Sequence, residues 1–122
     1  MSTVRRFEDL AAWKLARELV CLIYAVTKKS DFDSDISFRD QFRRAAVSIV
    51  ANVAEGFERG SDKQLIQFLY NARGSAGEVR SLLYVALDQG YLTMEEFQNC
   101  ISKAEEVSKA LFGFIRYLQS GR

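Results

Sequence analysis

Two pairs of carboxylates and one glycine-containing segment are the residues whose types and spacing could support chemistry. Glu95-Glu96 and Glu105-Glu106 are adjacent pairs, and Gly60-Ser61-Asp62-Lys63 superficially resembles a phosphate-binding loop. Adjacent side chains on a helix diverge by about 100°, so neither pair converges on one substrate or metal ion. The glycine segment lacks the preceding strand and the full glycine spacing of a phosphate loop. We interpret the pairs as solvated surface and the segment as a helix cap.

Histidine is absent from the sequence, which removes the usual general base at neutral pH. Its absence also excludes a Ser-His-Asp triad and the Glu-x-x-His pairs of di-iron bundles. The two cysteines, Cys21 and Cys100, are far apart and lack zinc-finger spacing, so we interpret them as reduced thiols. We predict no catalytic residue, cofactor, metal ion or small-molecule substrate, and the chain is predicted not to be an enzyme.

The composition favours long helices in one domain that lies free in the cytoplasm. The 122 residues include no proline, which would interrupt helices, and 48% are hydrophobic. A formal net charge of +1 gives no bulk attraction to a polyanion. No apolar stretch follows the N-terminal arginines, and the run Leu19–Val26 is far shorter than the roughly 20 residues of a membrane span. We therefore expect no signal peptide, no membrane contact and a cytoplasmic location.

Apolar residues spaced three and four apart predict four helices. Their predicted ranges are 9–28, 37–58, 61–89 and 93–119. Ser37 is the predicted N-cap of the second helix, and Ser61–Gln64 and Thr93–Glu96 have the capping-box pattern that opens the third and fourth. The polar segment Ser30–Ser37 is predicted to be a turn, because Asp and Ser bond their own backbone. Short links make sequential helices antiparallel, so residues 1–122 are predicted to form one all-α, up-down-up-down four-helix bundle.

The outer side of the second and third predicted helices is unusual for a solvated surface. Polar residues of mixed type, from Gln41 to Arg59, share one face of the second helix without alternating lysine and glutamate. Gly74 and Gly77 stand in the middle of the third helix, where each costs about 1 kcal/mol relative to alanine. Either these glycines are tolerated, or another backbone approaches them. The second interpretation predicts a subunit interface that includes Arg44, Ser48, Asn52, Glu55, Gly56, Arg73, Gly74, Ser75, Gly77 and Glu78.

Basic residues near the N-terminus and on the same two helices form a second candidate set, because arginine is suited to contact phosphate. Ordinary solvated or interface charge is the alternative, since acidic neighbours nearly balance them. The candidate nucleic-acid contacts are Arg5, Arg6, Arg39, Arg43, Arg59, Lys63 and Arg80.

The string QFRRAAVSIVANVAEGFER, residues 41–59, resembles the signature of a bacterial four-helix-bundle family. Its members are encoded in intervening sequences of the large-subunit ribosomal RNA gene, and a relative is the accessory variability-determinant protein of diversity-generating retroelements. The resemblance covers roughly residues 9–92, and the fourth helix matches in pattern. The residues that carry it are Arg43-Arg44-Ala45, Ser48-Ile49, Asn52, Ala54-Glu55-Gly56, Asp9-Leu10, Trp13, Ala16, Phe68-Leu69, Ala72-Arg73-Gly74-Ser75 and Glu78.

The chain departs from the family pattern at two places and in its charge. Val50 stands where the family often has proline, and Phe32-Asp33 replaces a frequent Phe-Pro. The retroelement relatives are strongly basic, whereas this chain is nearly neutral, which puts their nucleic-acid role in doubt here. The resemblance implies a homopentameric ring and no known enzymatic activity.

Three hypotheses follow from these observations. The first is a non-catalytic, ring-forming interaction module whose partner is itself. The second is a protein that binds RNA or a ribonucleoprotein through arginines on the ring, so that its partner is RNA or a nucleic-acid enzyme. The third is a monomeric bundle whose outer face docks one protein partner.

Overall fold

The computed structural model describes residues 4–121, and helices form almost all of this range. Residues 1–3 and 122, which the predicted domain includes, lie outside the described residues. A 3₁₀ turn, Phe7–Asp9, precedes five α-helices: α1 (Ala11–Thr27), α2 (Ser30–Ser34), α3 (Ile36–Glu58), α4 (Asp62–Asp88) and α5 (Met94–Gln119). The described residues contain no strand, so the predicted all-α class is confirmed.

The four long helices pack in a closed ring. Helix α1 lies beside α3 and α5, and α4 lies beside α3 and α5, whereas the diagonal pairs α1–α4 and α3–α5 have no Cα atoms within 8 Å of each other in the described residues. Sequential long helices that lie side by side across short links run antiparallel. The predicted up-down-up-down bundle is therefore confirmed, and each long helix begins and ends within two residues of its predicted bounds.

Aliphatic side chains from every long helix meet in one core. Buried alanines such as Ala72 and Ala76 let α4 approach its neighbours closely. On α1 the buried residues include Leu19 and Val26, and Trp13 is half-buried. Within residues 4–121, no helix combines the length and the apolar character that crossing a bilayer requires.

The helix ends show which of the predicted caps form. Thr93 and Glu96 make the complete capping box, with each side chain accepting from the backbone N–H of the other. At Ser61 half of the box forms: Gln64 N–H donates to Ser61 Oγ at 3.3 Å, and the serine hydroxyl donates to Gln64 Oε1 at 3.1 Å. Helix α3 is capped by Asp35, which accepts from the N–H of Phe38, so the prediction of Ser37 as its N-cap was wrong.

Gly90 ends α4 in the left-handed region, with φ of +76°. Its N–H donates to the Leu87 carbonyl at 3.0 Å, and Tyr91 N–H donates to the Ala86 carbonyl at 2.9 Å. These two bonds form a Schellman motif, which satisfies carbonyls that the helix end would otherwise leave free. The motif turns the chain so that Tyr91 packs at the end of the bundle where α2 lies.

Helix α2 occupies the segment that the sequence predicted as a turn. Its Phe32 is fully buried and packs against the rings of Phe38, Phe42 and Tyr91. The centroids of these three rings lie 5.0–5.6 Å from the centroid of the Phe32 ring. Tyr91 also donates its hydroxyl to Asp35 Oδ2 at 2.8 Å, and this bond raises the pKa of Tyr91. The turn prediction failed because the burial of one aromatic ring fixes the segment more strongly than its polar composition suggests.

Replacement of Phe32 by alanine tests whether this ring closes the end of the bundle. We expect Phe32→Ala to lower the free energy of unfolding by about 3–5 kcal/mol, because it empties a fully enclosed aromatic site. Ile36→Ala is the control, since Ile36 is 60% exposed, and its effect should stay within about 0.5 kcal/mol. Urea unfolding followed by circular dichroism measures both. Equal effects of the two variants on the free energy of unfolding would contradict this role of Phe32.

Candidate functional site

Polar side chains predicted for the subunit interface meet across the α3–α4 seam inside one chain. Ser48 Oγ lies 3.0 Å from Ser75 Oγ, and Asn52 Nδ2 donates to the Ser48 carbonyl at 2.8 Å and to Ser48 Oγ at 3.0 Å. Two turns closer to the start of α3, Gln41 Nε2 donates to a Glu78 carboxylate oxygen at 3.4 Å. The mixed polar face therefore has a role within the chain, and its role between subunits stays a prediction.

Gly56 does not lie on the outer face where it was predicted. It is buried, and a Cβ added to it would lie 2.6 Å from Phe68 Cβ and 3.1 Å from Leu65 Cδ1. Gly56 follows Ile49 by seven residues, so helix geometry turns it to the core side of α3. Its function is to let α4 approach α3, and a second subunit could not reach it.

Gly74 and Gly77 differ from Gly56 in that they face away from the rest of the chain. A Cβ at either position would meet no atom within 4 Å. Exposed apolar side chains surround them, since Tyr70 is 46% exposed and Val85 is 40% exposed. We call Tyr70, Gly74, Gly77, Ser81 and Val85 the outer strip of α4. The absence of a side chain at Gly74 and Gly77 leaves open space on the surface, and packing within the chain does not require it.

The charged residues of the predicted interface do not pair with one another in one chain. Glu55 accepts from Arg59 at 2.7 Å. Arg73 stacks over the Phe112 ring of α5, with 4.5 Å between its Cζ and the ring centroid, so it faces α5 and not α3. Arg44 is exposed and forms no ion pair with a described residue.

Four of the seven candidate nucleic-acid contacts already have partners in the chain. Arg39 pairs with Asp33 at 2.7 Å and with Asp40 at 3.0 Å. Arg43 Nε donates to the buried Thr27 hydroxyl at 2.9 Å, and its guanidinium lies over the Tyr24 ring. Arg59 pairs with Glu55, as described above, and Arg6 pairs with Glu8 at 3.1 Å. Arg5, Lys63 and Arg80 form no ion pair with a described residue.

These seven residues are also spread over the length of the bundle. Arg39 and Arg43 lie in the first turns of α3, beside the end of α1, whereas Arg59 and Lys63 lie at the opposite end, around the α3–α4 link. Arg5 and Arg6 precede the 3₁₀ turn, which packs against α1 and α3. A single chain thus offers no continuous surface that includes all seven.

The two cysteine thiols differ in their burial. Burial raises the pKa of the Cys100 thiol to about 11, and the Glu96 charge adds to this effect. Cys21 is exposed on α1. In the described part of the chain, no group of three or more cysteine, aspartate or glutamate side chains is arranged to hold a metal ion.

Comparison with known proteins identifies the type of chain. A family model described as 23S rRNA-intervening sequence protein matches residues 8–113. No curated protein matches the chain. Among solved structures, a similar one is the crystal structure of a protein of unknown function from the S23 ribosomal protein family of Bacteroides thetaiotaomicron. It shares 23% sequence identity and a TM-score of 0.80, over 86% of this chain and 98% of that chain. At this identity the likeness shows the fold alone.

The two cysteines should differ strongly in reactivity, because the thiolate is the nucleophile and Cys100 remains protonated. With a disulfide reagent at about pH 8, we expect one thiol of the native protein to react quickly and the second to react only as the protein unfolds. Cys21→Ser should remove the fast phase, and Cys100→Ser should leave it intact. Two equally fast thiols would contradict the burial of Cys100.

Proposed function

This chain belongs to the family of 23S rRNA-intervening sequence proteins, and on that premise we propose that it is a non-catalytic module that assembles with copies of itself. The subunit contact uses the outer strip of α4 together with Arg44 and Glu55 of α3. The stoichiometry is five, as the family resemblance implies, and the location is the cytoplasm.

The outward position of Gly74 and Gly77 carries this proposal. Glycine inside a helix costs about 1 kcal/mol relative to alanine, and neither residue makes room for any atom of its own chain. A residue that weakens the free helix is favourable when it lets another backbone approach. Gly56 shows the same use of glycine inside the chain, where α4 occupies the space that a side chain would need.

The composition of the surrounding surface supports the same interpretation. Tyr70, Val85 and Val47 are each between 39% and 46% exposed, and Arg44 and Glu55 are exposed on α3. Interfaces combine aromatic and aliphatic contacts with arginine and a polar rim. The carboxylate of Glu55 and the unpaired guanidinium of Arg44 supply the charged groups of that rim.

The chemistry of the chain supports a non-catalytic role. The sequence has no histidine, and the Cys100 thiol, with a pKa of about 11, is not a nucleophile at neutral pH. RNA binding through the seven predicted basic residues is less favoured, because four of them have partners within the chain.

Substitution of one outward glycine distinguishes assembly from folding. We expect Gly74→Leu to keep helicity and to raise the stability of the subunit by up to about 1 kcal/mol, while it blocks the approach of the neighbouring subunit. Size-exclusion chromatography with light scattering measures the mass, and circular dichroism measures helicity and stability.

Gly113 provides a matched control. It is also an exposed glycine inside a helix where a Cβ would meet no atom within 4 Å, but it lies on α5. Gly113→Leu should therefore leave the mass unchanged. A native protein with the mass of one subunit, or a Gly74→Leu variant that assembles normally, would refute the proposal. Absorbance at 260 nm above that of protein alone in the same peak would favour bound nucleic acid.

A further inference from the structure

A groove follows the contact between α4 and α5 on the surface of the bundle. Two cavities, of about 390 Å³ and about 320 Å³, lie along it and share the lining residues Arg80 and Ser108. Tyr70, Arg73 and Gly74 complete the first. Glu105 and Lys109 complete the second. Both helices belong to the same chain, so the groove exists in the single subunit, where it borders the outer strip through Tyr70 and Gly74.

Ser108 lines both cavities of this groove, and its hydroxyl group is unsatisfied. Its Oγ is buried and has no hydrogen-bond partner among the described residues. Ser108 also interrupts the apolar stripe of α5, between the buried residues Ala104 and Leu111. Buried polar atoms in proteins are almost always paired, so an unpaired hydroxyl on a residue that lines two cavities indicates a missing partner.

The cations around Ser108 are available to a ligand. Arg80 and Lys109 form no ion pair within residues 4–121, and Arg73 is held by the Phe112 ring without a carboxylate partner. Glu105 is the carboxylate that lines the second cavity, and it has no cation within 4.0 Å in the described residues. Three cations against one carboxylate leave the groove positive, although the whole chain is nearly neutral.

We propose that the groove between α4 and α5 binds a phosphate group. Arg73 and Arg80 donate to its oxygens, Lys109 adds positive charge, and the Ser108 hydroxyl donates the hydrogen bond that it lacks in the free protein. A phosphate group fits because its oxygens can accept from two guanidinium groups and a hydroxyl at once. The planar Arg73 is already oriented by its contact with Phe112, which reduces the ordering that binding requires.

Calorimetric titration with inorganic phosphate at low ionic strength tests this site. We expect saturable binding to the native protein, weakened about tenfold or more in Arg80→Ala because a charge-assisted hydrogen bond is lost. Lys28→Ala is the control, since Lys28 is exposed and lines neither cavity. This variant removes one positive charge and should change the affinity by less than about twofold. Absence of saturable binding, or equal losses in the two variants, would overturn the proposal.

Ser108→Ala separates a binding role from a structural one. Removal of an unsatisfied hydroxyl should leave the melting temperature unchanged or raise it, whereas the affinity for phosphate should fall. Unchanged affinity would refute the role of the hydroxyl. A lower melting temperature would show that the hydroxyl is satisfied within the protein, which would also overturn the proposal.

A short oligouridylate, titrated in the same way, identifies the source of the phosphate group. If it competes with phosphate and loses affinity in Arg80→Ala, the groove accepts a nucleic-acid backbone. If phosphate binds and the oligouridylate does not compete, the groove accepts a small phosphorylated molecule. Light scattering of Arg80→Ala should show the native mass, so the result stays separate from the test of self-association.

Discussion

The close approach of α3 and α4 at Gly56 is the constraint on which much of the structure depends. Phe68 occupies the space where a Cβ would lie, so the present separation of the helices requires a hydrogen atom at that position. The same separation brings Ser48 and Ser75 within hydrogen-bond distance farther along the seam. Buried alanines on both helices, among them Ala45 on α3 and Ala72 on α4, add small side chains to the core. The polar groups at the edge of the seam are satisfied because the helices are this close.

This closeness divides the surface of α4 into regions with different properties. Toward α3, Ser75 and Glu78 are engaged in hydrogen bonds within the chain. The outer strip, by contrast, presents open space and exposed rings. Toward α5, Arg73 lies against Phe112 and borders a positively charged groove. One helix thus combines a satisfied seam, a bare strip that suits another backbone, and a groove whose donors lack acceptors.

The sequence predicted the bundle well because heptad spacing of apolar residues is a property of each helix by itself. The burial of Phe32 was not predicted, because a single aromatic residue among Asp and Ser residues forms no periodic apolar pattern. The core position of Gly56 could have been found from its spacing of seven residues from Ile49. The contact of Arg73 with Phe112 could not have been found from the sequence, since Phe112 lies on another helix and no local pattern connects the two residues. The unpaired state of Ser108 likewise depends on its surroundings in three dimensions.

The contact of α1 with α5 closes the ring of helices, and it also brings the start of α1 beside the end of α5. Val4 and Tyr117 line the same apolar cavity. A short peptide could therefore join the end of α5 to the residues that precede α1, and the bundle could be opened at another link without loss of any contact between helices. Circular permutants of this bundle should be compatible with its architecture, because the packing of the ring does not depend on which helix is synthesised first.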